Sequence, residues 1–272
     1  MSNSHYRVIY ENDAWSIGDY RCHARRGPAG HEEHTDRYEI AFVRRGVFTA
    51  ALGRSRSLLS PVHAFLLRPG RSFTVEHPTD GGDECTVFRF TSQGFDEVPR
   101  KLRDAFREVR VFASPAAFVA QRTLLASLPH ADALGIEEQA WQTIASLADD
   151  ADVAQPTLPS EKMKRAVGTA EELLSARACE ALPLRTIAEC AGVSRFHLAR
   201  AFRRITGVSM HRYQTALRLR MALQRLEEGA RDLTGLALDL GFSDHSHFCA
   251  TFHREFRVPP SAYRRLVART SS

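Results

Sequence analysis

Lysine is nearly missing from this chain: of 37 basic residues only Lys101, Lys162 and Lys164 are lysine. Base composition explains an arginine bias as readily as function does, so the bias alone assigns nothing. Cysteine is scarce as well. Cys22, Cys85, Cys179, Cys190 and Cys249 are odd in number and scattered, which argues against a disulfide framework and fits reduced thiols in a cytoplasm. No apolar run approaches the ~20 residues that span a bilayer, so no membrane partner is expected. The first residues lack the charged-then-apolar pattern of a secretory signal, and a cytoplasmic location is expected. Also missing are a phosphate-cradling Gly-rich loop, a Gly-x-Ser-x-Gly elbow and a His-Glu-x-x-His helix. Those absences remove several common enzyme chemistries, and the chain is not expected to be an enzyme.

What is present is an ordinary globular composition, 272 residues with 43% hydrophobic and 25% charged. That length suits two domains of about 100–150 residues, each able to bury a core. The net charge of +5 is unevenly placed. Residues 1–160 carry 18 Lys and Arg against 21 Asp and Glu, a balance of −3, and residues 161–272 carry 19 against 11, a balance of +8. A mildly acidic half joined to a basic half points to a C-terminal module for a polyanion.

The two halves also differ in pattern. From Tyr38 to Phe90 the chain is strand-like. Ile40–Val43, Val47–Ala50, Ala64–Leu67 and Thr86–Phe90 are short β-branched and aromatic runs, punctuated by Arg45-Gly46, Gly53-Arg54, Pro69-Gly70 and Gly81-Gly82. Their close spacing without intervening helices predicts an antiparallel sandwich or barrel. Trp15, Phe42, Phe48 and Phe65 serve equally as pocket lining or as core. Residues 98–148 turn helical, with Leu102, Phe106 and Val109 on one face and Trp141, Ile144 and Leu147 on another. The segment 149–160 is acidic, holds two prolines and has no apolar period, so it reads as a linker. The expected fold class is α+β: a barrel over about 1–95 and helices over 98–148, forming a domain 1–150, then an all-α domain 161–272.

The C-terminal half contains a repeat. Ile187-Ala188, Gly192-Val193-Ser194, Leu198, Phe202 and Tyr213 return as Leu236-Ala237, Gly241-Phe242-Ser243, Phe248, Phe252 and Tyr263. The offset is 49 residues before the turn and 50 after it, a one-residue insertion. Each copy reads as a helix-turn-helix. A short first helix buries Leu184, Ile187, Ala188 and Ala191, and Gly192 supplies the left-handed turn. Ser194 caps the second helix. Leu198, Phe202 and Ile205 face inward; Arg195, Phe196, Ala199, Arg200 and Arg203 face outward. In the second copy Asp232 and Asp244 are the caps, Phe248, Phe252 and Phe256 face inward, and His245, Ser246, Cys249, Ala250 and Arg254 face outward. Ser209–Glu228, free of Gly and Pro, predicts a joining helix of about 28 Å. That approaches the ~34 Å turn of B-DNA, so both second helices can enter successive major grooves.

These residues resemble the AraC/XylS family of bacterial transcription regulators. The resemblance lies in Ile187-Ala188-x3-Gly192-Val193-Ser194-x3-Leu198-x3-Phe202-x4-Gly207 and, more strongly, in Gly241-Phe242-Ser243-Asp244-x3-Phe248-x3-Phe252 followed by Val258-Pro259-Pro260-x2-Tyr263-Arg264. The joining segment Arg218-Leu219-x2-Ala222-x3-Leu226 fits too, and the match covers about 161–266. The resemblance implies a double helix-turn-helix on double-stranded DNA at promoter sites. It places base contacts at Phe196, Ala199, Arg200, His245, Ser246, Ala250 and Thr251, and phosphate contacts at Ser194, Arg195, Arg203, Arg204 and Arg254. Ala199 and Ala250 depart from the long polar side chains often found there. It further implies a cupin-like N-terminal barrel that binds a small-molecule effector, a helical segment near 98–148 that mediates homodimerisation, and a regulator, more often an activator, that contacts RNA polymerase. No cofactor is required by this reading.

The N-terminal half matches the cupin pattern only in part. His34-x4-Glu39-x6-Gly46 fits a piece of its first motif, but His31-Glu32-Glu33-His34 replaces His-x-His. The same half concentrates Cys22, His23, His31, Glu33, His34, His77 and Cys85. Cys22, His77 and Cys85, joined by His34 or Glu33, offer zinc a ligand set; the plainer alternative is polar-pocket histidines and cysteines that act as small hydrophobes. A metal- or thiol-responsive regulator is therefore a second reading. Remoter ones are a cupin enzyme, and an alkyl-transfer repair protein suggested by Cys22-His23-Ala24-Arg25 but lacking the preceding proline, since Arg21 stands there.

Overall fold

In the computed structural model the described residues are 4–53, 55–78, 80–150 and 160–270. The chain divides into two compact units, Met1–Ser114 with Ala140–Val153, and Pro115–Gln139 with Ala154–Ser272. The fold is α+β, and among the described residues the strands lie in the first unit and the second is helical.

The first unit is built on two antiparallel sheets. Its strands are β1 (Ser4–Glu11), β2 (Trp15–Cys22), β3 (Gly27–His34), β4 (Tyr38–Gly46), β5 (Phe48–Leu52), β6 (Ser55–Leu59), β7 (His63–Leu67), β8 (Ser72–His77), β9 (Asp83–Phe90) and β10 (Arg110–Phe112). One sheet runs β1-β2-β9-β4-β7-β10 and the other β3-β8-β5-β6. Alternation along β4 explains the layering. Ala41 and Val43 point to a core shared with Phe48, Ala50, Phe73 and Val75 of the second sheet, and Phe65 meets Phe48 and Phe73 edge-on. Ile40 and Phe42 alternate with them and are equally buried. The central strands are therefore covered on both faces, which is why they read as continuous apolar runs.

Helices α1 (Ser92–Asp96) and α2 (Arg100–Ala105) contribute to that second layer. Phe95 stacks on Tyr38 of β4 and meets Phe106 edge-on. Trp15 and Phe90 pack against Trp141 of α4 (Ala133–Asp150). The four aromatics left open between pocket and core are all buried, and Trp15, Phe42, Phe48 and Phe65 each meet another aromatic ring. The expected helical face Leu102-Phe106-Val109 stops short: α2 ends at Ala105, and the chain turns into β10, which pairs with β7.

The second unit holds α3 (Pro115–Ser127), α5 (Glu161–Ala176), α6 (Leu184–Cys190), α7 (Arg195–Thr206), α8 (Met210–Glu227), α9 (Leu233–Asp239), α10 (His245–Phe256) and α11 (Pro260–Thr270). Residues 115–139, expected with the barrel, group here instead. Phe118 of α3 sits in one core with Leu219, Leu223, Phe248 and Phe252, the guanidinium of Arg220 lies over its ring, and Arg122 pairs with Glu227. Most of the expected linker, residues 151–159, lies outside the described residues; 149 and 150 end α4, and Ser160 caps α5.

The repeat is visible in the backbone. Helices α6 and α9 are both seven residues long and α7 and α10 both twelve. Their C-caps differ: Gly207 takes the left-handed conformation after α7, whereas Arg257, φ 60°, takes it after α10. A side chain there costs about 1–2 kcal/mol. Arg257→Gly is therefore expected to raise the unfolding free energy of this unit by about 1 kcal/mol, read by denaturant titration.

Candidate nucleic-acid interface

Each turn is set by a glycine at the end of the first helix and a cap at the start of the second. Gly192 and Gly241 have φ of 64° and 75°. At Gly241 a Cβ would also lie 2.1 Å from the carbonyl oxygen of Cys179, so only glycine fits. The hydroxyl of Ser194 accepts the His197 amide of α7 and lies 2.8 Å from that ring's Nδ1. In the second copy the insertion moves the cap one residue on. Asp244 accepts the His247 amide at 2.7 Å, while Ser243 bonds to the Asp244 carboxylate and to His247 Nδ1. Those bonds to the Asp244 carboxylate hold it below the usual carboxylate range.

Leu198 and Phe202 on α7, and Phe248, Phe252 and Phe256 on α10, are buried as the spacing predicted. Leu184, expected in the buried stripe, is 38% exposed, because it stands at the very start of α6. The opposite face of α7 presents Arg195, Phe196, Ala199, Arg200, Arg203 and Arg204 to solvent. Phe196 is 70% exposed, an unusual position for a large aromatic. Some other cations of the unit are paired, as in Arg177–Glu180, Arg185–Glu189 and Arg225–Asp239. Among the described residues the four arginines of α7 have no carboxylate partner. The helix therefore carries an uncompensated positive face.

The outer face of α10 is quieter. Ser246 and Ala250 are exposed and His245 is half-buried, with its Nε2 3.3 Å from Cys249 Sγ one turn on. Arg254 is exposed and lies near Glu255. Thr251 does not join this face. It is 2% exposed, because it adjoins Phe252 on the side of α10 turned to the core. A base contact at Thr251 is thus excluded in this arrangement.

The two copies are tied together by α8. Its cap is Ser209, the first residue of the segment read as the joining helix, and it buries Tyr213, Leu217, Leu219, Ala222 and Leu226. Arg218, half-buried on this helix, donates to three carbonyls: Nε to Ala178 at 2.8 Å, Nη2 to Glu180 at 3.0 Å and Nη1 to Gly241 at 2.7 Å. Gln214 donates to the same Ala178 and Glu180 carbonyls. One planar fork thus joins the chain after α5 to the turn of the second copy. The sequence marks Arg218 only as part of a pattern, and no local signal gave it this role, since its helical neighbours Gln214 and Arg225 are polar as well.

A family model described as a helix-turn-helix domain matches residues 187–266. SoxS, a regulatory protein of Salmonella typhimurium, is 34% identical over 83 residues, which cover 30% of this chain and 78% of SoxS. The chain belongs to the AraC/XylS family of transcriptional regulators. A crystal structure of an AraC-type regulator from Chromobacterium violaceum is 33% identical, with 39% of this chain and 92% of that one covered at a TM-score of 0.35. An HTH-type regulator of Haemophilus influenzae is 32% identical over 85 residues, 31% of this chain and 28% of its own length. The chain thus spans well under two thirds of that longer relative.

The N-terminal unit of this AraC/XylS protein holds a second cluster. Cys22, His77 and Asp83 are buried, and one potential ligand atom from each lies within 4.8 Å of the others. Cys22 and Asp83 face one another across β2 and β9, and His77 closes β8 of the other sheet. Cys85 Sγ is 3.4 Å from Asp83 Oδ2. Burial pushes both thiols up, that of Cys85 well above its ordinary value, with the Asp83 charge adding to it. His34 does not take part. It is exposed and pairs with Ser72, five residues along β8 from His77 or about 17 Å away. Glu33, the other option, pairs with Phe73 and is not in the group either. The His31 side chain lies outside the described residues. Asp83 was missed as a ligand, although its alternation with Cys85 on one strand face was a readable signal.

Proposed function

We propose that this protein is a sequence-specific regulator of transcription whose α7 and α10 enter successive major grooves of double-stranded DNA. The observation that carries the reading is the unpaired arginine face of α7, capped and held on the same unit as α10. On α7, Arg200 is assigned to a guanine through a bidentate contact and Phe196 to thymine methyl groups, with Ala199 packed between them. On α10, His245, Ser246 and Ala250 are the base-facing set. Arg195, Arg203, Arg204 and Arg254 contact phosphates, which position the helices without reading sequence. Ser194 caps α7 and adds a phosphate contact at that helix N-terminus.

The finer reading rests on the family resemblance. In it the protein is a cytoplasmic activator, its N-terminal sheets take a small-molecule effector, and it works as a homodimer in contact with RNA polymerase. Mapping bound DNA across the genome tests the regulator and points, through the neighbouring genes, to the effector class.

Two substitutions separate the roles on α7. Arg200→Ala is expected to cost about 1–3 kcal/mol of binding and to relax preference at one base pair. Loss that is uniform over all sequences would make Arg200 a phosphate contact instead. Arg204→Ala is expected to weaken all sites alike and to lower the salt slope of binding by about 1. Both are read from fluorescence anisotropy titrations over a salt series.

A further inference from the structure

We propose that Cys22, His77 and Asp83 hold a zinc ion, with the Cys85 thiolate as fourth ligand, and that this ion clips the two sheets of the N-terminal unit together. The set differs from the cupin pattern, whose His-x-His motif is broken here. Two thiols, an imidazole and a carboxylate are the donors that tetrahedral zinc prefers.

The placement supports the assignment beyond ligand type. Bond lengths of zinc to sulfur, nitrogen and oxygen imply ligand atoms about 3.3–3.8 Å apart in a tetrahedron. The three buried atoms fall within 4.8 Å of each other, His77 Nε2 is 2.8 Å from Asp83 Oδ1, and Cys85 Sγ is 3.4 Å from Asp83 Oδ2. Small side-chain shifts bring the three grouped atoms to that spacing, whereas Cys85, beside Asp83 but outside the group of three, must move further to become the fourth ligand. His77 is 2% exposed, and the ring nitrogen that faces Asp83 is Nε2. Asp83 and Cys85 stand two apart on β9, so both face the same side of the sheet, Asp83 opposite Cys22 and Cys85 opposite Tyr20 of β2. His77 comes from β8, so the ion joins strands of both sheets. Four protein ligands leave no open position for substrate, which makes the site structural.

Binding is written as Zn²⁺ replacing the two thiol protons, with His77 neutral and Asp83 ionised, so that the charges of the two thiolates and the metal cancel. Metal analysis of the full chain, purified under reducing conditions and passed over a weak chelator, tests this. One zinc per chain is expected. Cobalt loaded in its place should give tetrahedral bands and thiolate charge transfer, the latter falling by about half in Cys85→Ser as one of two thiolates is lost. Cys22→Ser and His77→Ala are expected to lose the metal, while His34→Ala retains it. Folded wild-type chain that takes up no zinc would overturn the site, as would Cys22→Ser keeping its full complement. A Cys85→Ser cobalt spectrum equal to wild type would overturn the fourth ligand. The wild-type measurement decides even where a variant fails to fold. It is independent of DNA binding, so it stands or falls apart from the proposed regulation.

Discussion

Arg218→Ala is expected to lower the unfolding free energy of the C-terminal unit by about 2–4 kcal/mol, with a parallel fall in DNA affinity. The guanidinium serves three carbonyls at once, those of Ala178, Glu180 and Gly241. Hydrogen bonds from a charged donor contribute about 1.5–3 kcal/mol each, but the site is half-buried and water replaces part of what is lost. The energetic sum matters less than the geometry. The fork joins the chain between α5 and α6, which leads into the first copy, to the turn of the second, so removing it loosens the turn before α10. Binding that needs both helices in register should suffer more than binding to half of the site, by about tenfold or more. Arg218→Lys discriminates: a single ammonium cannot span three carbonyls, so it should fall close to alanine despite keeping the charge. Chemical denaturation together with titration on full and half sites measures both effects. Unchanged stability in Arg218→Ala would remove the clamp from the account.

Phe252→Ala is expected to cost about 3–5 kcal/mol. Phe252 is fully buried at the centre of an aromatic group, with ring centroids 5.7 Å from Phe248, 4.5 Å from Phe256 and 6.1 Å from Tyr263. Rigid rings on several sides cannot collapse into the space left behind, so the cavity term adds to the lost transfer energy. Phe196→Ala is the control. That ring is 70% exposed, and its removal should leave stability within about 0.5 kcal/mol while weakening DNA binding. Thermal and denaturant unfolding of the two variants, beside their DNA titrations, should give opposite patterns. Equal destabilisation would mean that Phe196 is packed rather than presented.

Much of the C-terminal unit was legible because its information is local. A stripe such as Leu198-Phe202 follows from helical period, the turns from Gly192 and Gly241, and the caps from Ser194, Asp232 and Asp244; all of these act within a few residues of chain. The paired motifs also carried the family. Even here, locality misplaced Thr251, since a residue at the edge of a helical stripe is assigned a side only by what packs against it. The β-rich half was legible as runs and breaks. The runs of β4, β5, β7 and β9 stood out, while β1, β3, β6, β8 and β10 lacked a comparable signal and β2, though buried along most of its length, was not read as a strand.

What the amino-acid order determined by itself is the α+β class, the repeated helix-turn-helix with its caps, and the concentration of cysteine and histidine in the first half. Only the tertiary structure decided that α3 joins the helical unit, that Arg218 links the two copies, and that Asp83 replaces His34 beside Cys22 and His77. The reason is separation along the chain. Phe118 and Phe248, Arg218 and Ala178, Cys22 and Asp83 each meet across tens of residues, and nothing in a local period says which distant partner a buried group will find.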